Sequence, residues 1–215
     1  MKQNIVTTKR HFEEKWKKNQ IFQSERIFPY NTYNSDFKDF IFFQSDFVYT
    51  KSFFESLLTF IRNIGDANMT FYSVSPDANE YFCYHFKKYG IAMFSLSDTY
   101  ETYKNTIWTN YATEDGIFDS LIISGETIVL FSDSLKWGIV ASKDWEIGVI
   151  GFSNDTTKKM FDSVFKDDIG EGKIFDALDS YMTEYSEMFH WDNETITKWN
   201  NLKKLYPLLF VVCKK

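Results

Sequence analysis

Two carboxylates flanking an indole, Asp144-Trp145-Glu146, are the residues of this chain best placed to do chemistry. On an extended strand, residues i and i+2 project to one side, so Asp144 and Glu146 would meet at a sheet edge. Paired carboxylates carry out acid–base work when burial raises the pKa of one of them. Here a hairpin turn at Lys143-Asp144 accounts for the aspartate, and Glu146 then faces solvent. A second acidic group, Asp167, Asp168 and Glu171, lies among two glycines. It lacks the Asp-x-Asp-x-Asp-Gly pattern and the twelfth-position glutamate of a calcium loop. Trp137 and Trp145 complete the set. On adjacent strands they would pair across a hairpin, as core if buried and as a recognition surface if exposed beside acids.

Other nucleophile and ligand patterns are missing. His11, His85 and His190 form no HxH, HExxH or HxxxH arrangement, so the sequence offers no metal site and calls for no cofactor. His190 reads as a helix-end histidine, and His85, between Tyr84 and Phe86, as a half-buried helix residue. Ser153 follows Gly151-Phe152 without the second glycine of a nucleophile elbow. Gly148-x-x-Gly151 falls inside a strand pattern rather than in a strand-to-helix loop, which marks a bulge or a close backbone approach and not a phosphate cradle. Cys83 and Cys213 make no CxxC pair and fit a reducing compartment.

The elements that must position these residues follow from periodicity. Residues 117–152 read as an antiparallel meander, with strands near 119–124, 127–132, 136–142 and 145–152 separated by Gly, Asp and Ser. Upstream, 37–43 holds a strand, Thr50 caps a helix over 51–64 that Gly65 stops, and 69–75 is a strand broken by Pro76. A helix over 78–89 then leads to a strand at 91–96, a strand–helix–strand order that would allow parallel pairing. Asp98 is placed to cap a helix running through Trp108. Downstream, helices are expected over 156–166, 173–189 and 193–205, with a short apolar tail at 208–212. An N-terminal helix over 9–22 would present Phe12 and Trp16 inward.

Composition narrows the function classes. The chain has 215 residues, 44% of them hydrophobic and 20% aromatic, with 23 Phe and 13 Tyr, so a core filled by rings is expected. The net charge of −6 is uneven: residues 112–195 carry 18 acidic against 6 basic groups. Such a surface disfavours nucleic acid and favours a basic protein partner. No run approaches the ~18 apolar residues of a membrane span. No apolar leader follows Met1, so a cytoplasmic location is expected, and the Lys, Asn, Phe, Tyr and Ile bias points to a bacterial source.

These readings converge on an α+β fold: residues 1–215 as a single domain, with 1–28 readable as a helical extension. A mixed sheet would hold the 117–152 meander against several helices. In general build (small, acidic, aromatic-rich and without catalytic motifs) the chain is similar to bacterial toxin-immunity proteins. The leading functional reading is a non-catalytic interaction module. Its surface would include Trp137, Asp144, Trp145, Glu146, Asp167, Asp168 and Glu171. The alternative is a small-molecule binder or small hydrolase with an aromatic-lined pocket.

Overall fold

The computed structural model describes residues 4–17, 21–22, 28, 30–34, 36–109, 111–113, 116, 118–168, 174–175 and 178–206. It is an α+β fold in which helices pack against one large sheet. The strands are β1 (Asp39–Gln44), β2 (Asn68–Ser75), β3 (Ile91–Ser95), β4 (Tyr111–Ala112), β5 (Phe118–Asp119), β6 (Thr127–Ser132), β7 (Trp137–Ser142), β8 (Ile147–Phe152) and β9 (Ile174–Phe175). Seven of them form the sheet in the order β3-β2-β6-β7-β8-β1-β9, while β4 and β5 pair separately. The helices are α1 (Lys9–Lys17), α2 (Lys51–Asn63), α3 (Glu80–Phe86), α4 (Tyr100–Trp108), α5 (Leu121–Ser124), α6 (Asp155–Val164), α7 (Leu178–Phe189) and α8 (Asn193–Leu205).

Every strand pairing among the described residues is antiparallel, so the sheet is not mixed. β2 and β3 in particular run antiparallel, against the expectation of a parallel crossover. The reason is length. A parallel return must retrace β2, about 26 Å for eight residues at ~3.3 Å each. The seven residues of α3 supply only about 10 Å, and Lys87 ends that helix in a left-handed conformation at φ 56°. The predicted strand at 119–124 is corrected as well. Only Phe118–Asp119 is extended, and Leu121–Ser124 forms a helical turn whose N-cap, Ser120, accepts from the Ile123 N–H at 3.2 Å. A short apolar run carries no period that separates the two states.

Capping chemistry sets the starts of α2, α4 and α6. The Thr50 hydroxyl accepts from the Phe53 N–H at 3.2 Å, and the chain leaves α2 through Gly65 at φ 82°. Asn154 caps α6. Thr99 caps α4 in place of Asp98, whose carboxylate instead accepts from the Ser95 N–H at 2.7 Å. At the outer edge of the sheet, β3 is covered by residues 4–6: Val6 N–H donates to Ile91 and Met93 N–H to Asn4.

Strand alternation sends the core to both faces of the sheet. Ile128, Leu130, Trp137, Ile139 and Ile150 pack with Phe53, Leu57, Phe60 and Phe161 of α2 and α6. Val129, Phe131, Val140, Ile147 and Val149 pack with Phe12, Phe22, Tyr33, Trp199 and Tyr206 on the opposite side. All residues of β6, β7 and β8 are consequently buried. Close approach is bought by glycine at two levels. Gly148 lies opposite Phe43, whose ring would stand 2.2 Å from an added Cβ. On the other face, Gly151 makes room for Tyr33, whose hydroxyl donates to the carbonyls of Gly138 at 2.9 Å and Val149 at 2.7 Å.

Gly148→Ala should therefore force the Phe43 ring out of place and cost about 1–3 kcal/mol, the usual range for overpacking. Urea unfolding of the variant measures this, and an unchanged midpoint would contradict the packing described.

Candidate functional site

The turn between β7 and β8, residues 143–146, carries the Asp144-Trp145-Glu146 triplet to one end of the sheet. β8 starts at Ile147, so the triplet belongs to the turn and not to a strand as the spacing had implied. Glu146 closes the turn with φ 54°, and its N–H donates to the Lys143 carbonyl at 3.0 Å. Both Asp144 and Glu146 are exposed, while the Trp145 ring is half-buried.

Helices α7 and α8 build the opposite wall. Asp192 caps α8 by accepting from the Thr195 N–H at 2.7 Å, and this hydrogen bond holds its carboxyl below the usual aspartate range. Trp199 and Leu202 of α8 are buried on the sheet. Tyr206, just beyond α8, pins the helix from below. Its hydroxyl lies 2.8 Å from the Thr32 hydroxyl, accepts from the Thr32 N–H at 3.0 Å and lies 3.1 Å from the Tyr30 carbonyl, to which it donates. On α7, the Tyr185 hydroxyl accepts from the Gln44 side-chain amide at 3.1 Å, which ties that helix to the end of β1.

The result is a cleft of about 290 Å³. Trp145, Trp191, Trp199, Tyr185 and Phe189 line it with rings, and Asp144, Glu146, Thr195 and Lys198 are its polar groups. The indoles support one another: Trp191 stacks on Trp199 at 4.9 Å and 17°, and Trp145 meets Trp199 at 5.2 Å. A neighbouring hollow of about 280 Å³ shares Glu146 and Tyr185 and adds Gln44, Ser45, Asp46 and Lys143.

The charges around these hollows are not balanced. The Lys198 ammonium is paired with Glu194 at 2.9 Å, and that hydrogen bond raises its pKa. Lys143 donates to the carbonyls of Ile122 and Ile123 at the end of α5, and burial pushes its pKa below the ordinary lysine value. Both cations are thus held by other partners. The Glu146 carboxylate accepts no hydrogen bond and makes no ion pair among the described residues.

Of the residues singled out in the sequence, Asp144, Trp145 and Glu146 line the cleft together. Trp137 does not. It stands at the start of β7 opposite Phe152, fully buried, with its ring 5.6 Å from Phe60. A Trp137–Trp145 pair is impossible because the two lie at opposite ends of β7, and Trp137 is a core residue, not part of a surface. Asp167 is exposed and Asp168 is buried, accepting from the Ser52 hydroxyl at 3.4 Å; neither lines the cleft. Glu171 and the 208–212 tail lie outside the described residues. His85 packs 4.9 Å from Tyr81, itself bonded to Asp119 at 2.6 Å, and takes no part in the cleft.

Sequence reasoning missed Tyr185, Phe189, Trp191, Thr195 and Lys198 as site residues, and placed Trp199 only in the core. Tyr185 and Phe189 lie four apart on α7, as Thr195 and Trp199 do on α8, so their shared faces were readable from helical spacing. Among the described residues, no group of three or more His, Cys, Asp or Glu side chains converges as a metal site would require, and no helix is long and apolar enough to cross a membrane. Comparison with protein-family models, curated proteins and solved structures gave no match.

Burial pushes the Tyr206 hydroxyl up to about 12, so the folded chain favours the neutral phenol. Its stabilisation is complete below the ordinary tyrosine pKa of about 10 and is lost as pH rises from there toward the folded value, because the unfolded chain ionises first. Tyr206→Phe should cost about 1–3 kcal/mol at neutral pH by leaving the Thr32 N–H unpaired. It should also make the loss of stability above pH 10 shallower, as urea unfolding at pH 7 and pH 11 would measure. Equal slopes for variant and parent would contradict this account.

Proposed function

We propose that this chain is a non-catalytic binding module that docks a basic protein partner through the acidic, aromatic cleft between the β7–β8 turn and helices α7 and α8. The observation that carries this reading is the meeting of Asp144 and Glu146 with the Trp145, Trp191 and Trp199 rings in one concave site. Aromatic side chains supply large, rigid contact area, and charges around them steer an oppositely charged partner and fix its register. The acidic excess of residues 112–195 extends the same sign of charge beyond the cleft. Acid–base catalysis is the weaker reading, since both carboxylates stand exposed to solvent.

A second reading, a small-molecule binder, is favoured by the volume of the cleft. At about 290 Å³ it falls near the lower end of the ~300–1,000 Å³ typical of ligand sites.

The immobilised protein, exposed to lysate of its source cell at low salt, should retain one basic protein that elutes at moderate salt. The double variant Asp144→Lys/Glu146→Lys should lose that protein. Glu55→Lys/Glu101→Lys, an equal change of charge on α2 and α4, should keep it. Equal retention by both variants would show that the cleft is not the docking surface and would turn attention to small ligands.

A further inference from the structure

We infer that the group seated in the cleft is an arginine side chain of the partner, its guanidinium lying on the indole faces and forking onto Glu146. This rests on the basic-partner reading and specifies its anchor. A lysine ammonium is compact and strongly hydrated, and offers no flat face to a ring. A guanidinium is flat, weakly hydrated and able to stack on aromatic faces, and its stem covers apolar surface behind it.

The polar groups fit the same guest. Trp191 and Trp199 are stacked on each other, so a planar guest meets the remaining exposed indole surface and the Tyr185–Phe189 side rather than entering between those two rings. Glu146 lines both this cleft and the adjoining hollow, which places its carboxylate at the junction of the two. A free carboxylate there can take two parallel N–H bonds from one guanidinium, a geometry that an ammonium does not offer. Glu146 occupies a left-handed conformation at φ 54°, where glycine is the unstrained residue. Its side chain faces solvent with no partner among the described residues, which leaves the carboxylate open to a guest's charge.

The test uses three capped pentapeptides that differ only at the central residue, which is arginine, lysine or citrulline. Binding to the full chain is followed by the indole N–H signals of Trp145, Trp191 and Trp199 in NMR titrations. The arginine peptide should bind about tenfold more tightly than the lysine peptide and move these indole signals, while the uncharged citrulline peptide should not bind. Glu146→Gln should weaken the arginine peptide about tenfold. Glu146→Gly should weaken it equally without lowering the urea midpoint, which separates loss of the carboxylate from loss of fold. Lysine binding as well as arginine, or indole signals that stay fixed during binding, would overturn the arginine anchor while leaving the basic-partner reading intact. No binding of either cationic peptide would also overturn it. The wider reading stands or falls separately, on whether the cleft variant loses its retained protein.

Discussion

Burying β6, β7 and β8 on both faces obliges the chain to cover two apolar surfaces of one sheet. One surface is met by α2 and α6, with Phe60 lying against Trp137 and Phe161. The other is met by pieces from far apart in the sequence: Phe12 and Phe22 from the start, Tyr33 from the loop before β1, and Trp199, Leu202 and Tyr206 from the end. Everything about the cleft depends on that second cover. Its far wall is α8, which stays in place because Trp199 and Leu202 fill the sheet surface and because the Tyr206 hydroxyl, Thr32 and Tyr30 satisfy one another.

Rings do this covering at some cost in shape, and glycine absorbs the cost. The Phe43 ring lies where a side chain on Gly148 would be, and Tyr33 reaches the carbonyls of two adjacent strands beside Gly151. A Cβ at either position would push a ring away from the sheet. The aromatic richness of the chain and its strand glycines are therefore one adaptation: large planar side chains pack closely onto a backbone that is locally bare.

Much of the architecture was legible in the sequence because the physics is local. Thr50 and Gly65 bounded α2 through capping, and the alternation in 127–152 gave three adjacent strands. Gly148 and Gly151 read as either a bulge or a close approach, and the Phe43 and Tyr33 rings against them make it the close approach. What escaped was non-local. The direction of β3 depends on how far α3 extends, which a left-handed Lys87 decides. The 119–124 run turns helical because Ser120 caps it. The site was half visible: Asp144, Trp145 and Glu146 share the turn that presents them, but Trp191 and Trp199 join them only through the docking of α8, and no spacing in the sequence connects residue 145 to residue 199. Trp137 resembled Trp145 in type and neighbourhood, and only the strand register separates a core indole from a cleft indole.

The bond between Tyr206 and Thr32 joins residues 174 positions apart. During synthesis, a chain that has emerged only as far as β8 possesses the turn with its two carboxylates but not the wall that makes a cavity of them. Until α7 and α8 have followed, the part of the sheet face which Trp199 and Leu202 fill stays uncovered beside Trp145. Formation of the cleft and covering of this face of the sheet thus arrive in the same step.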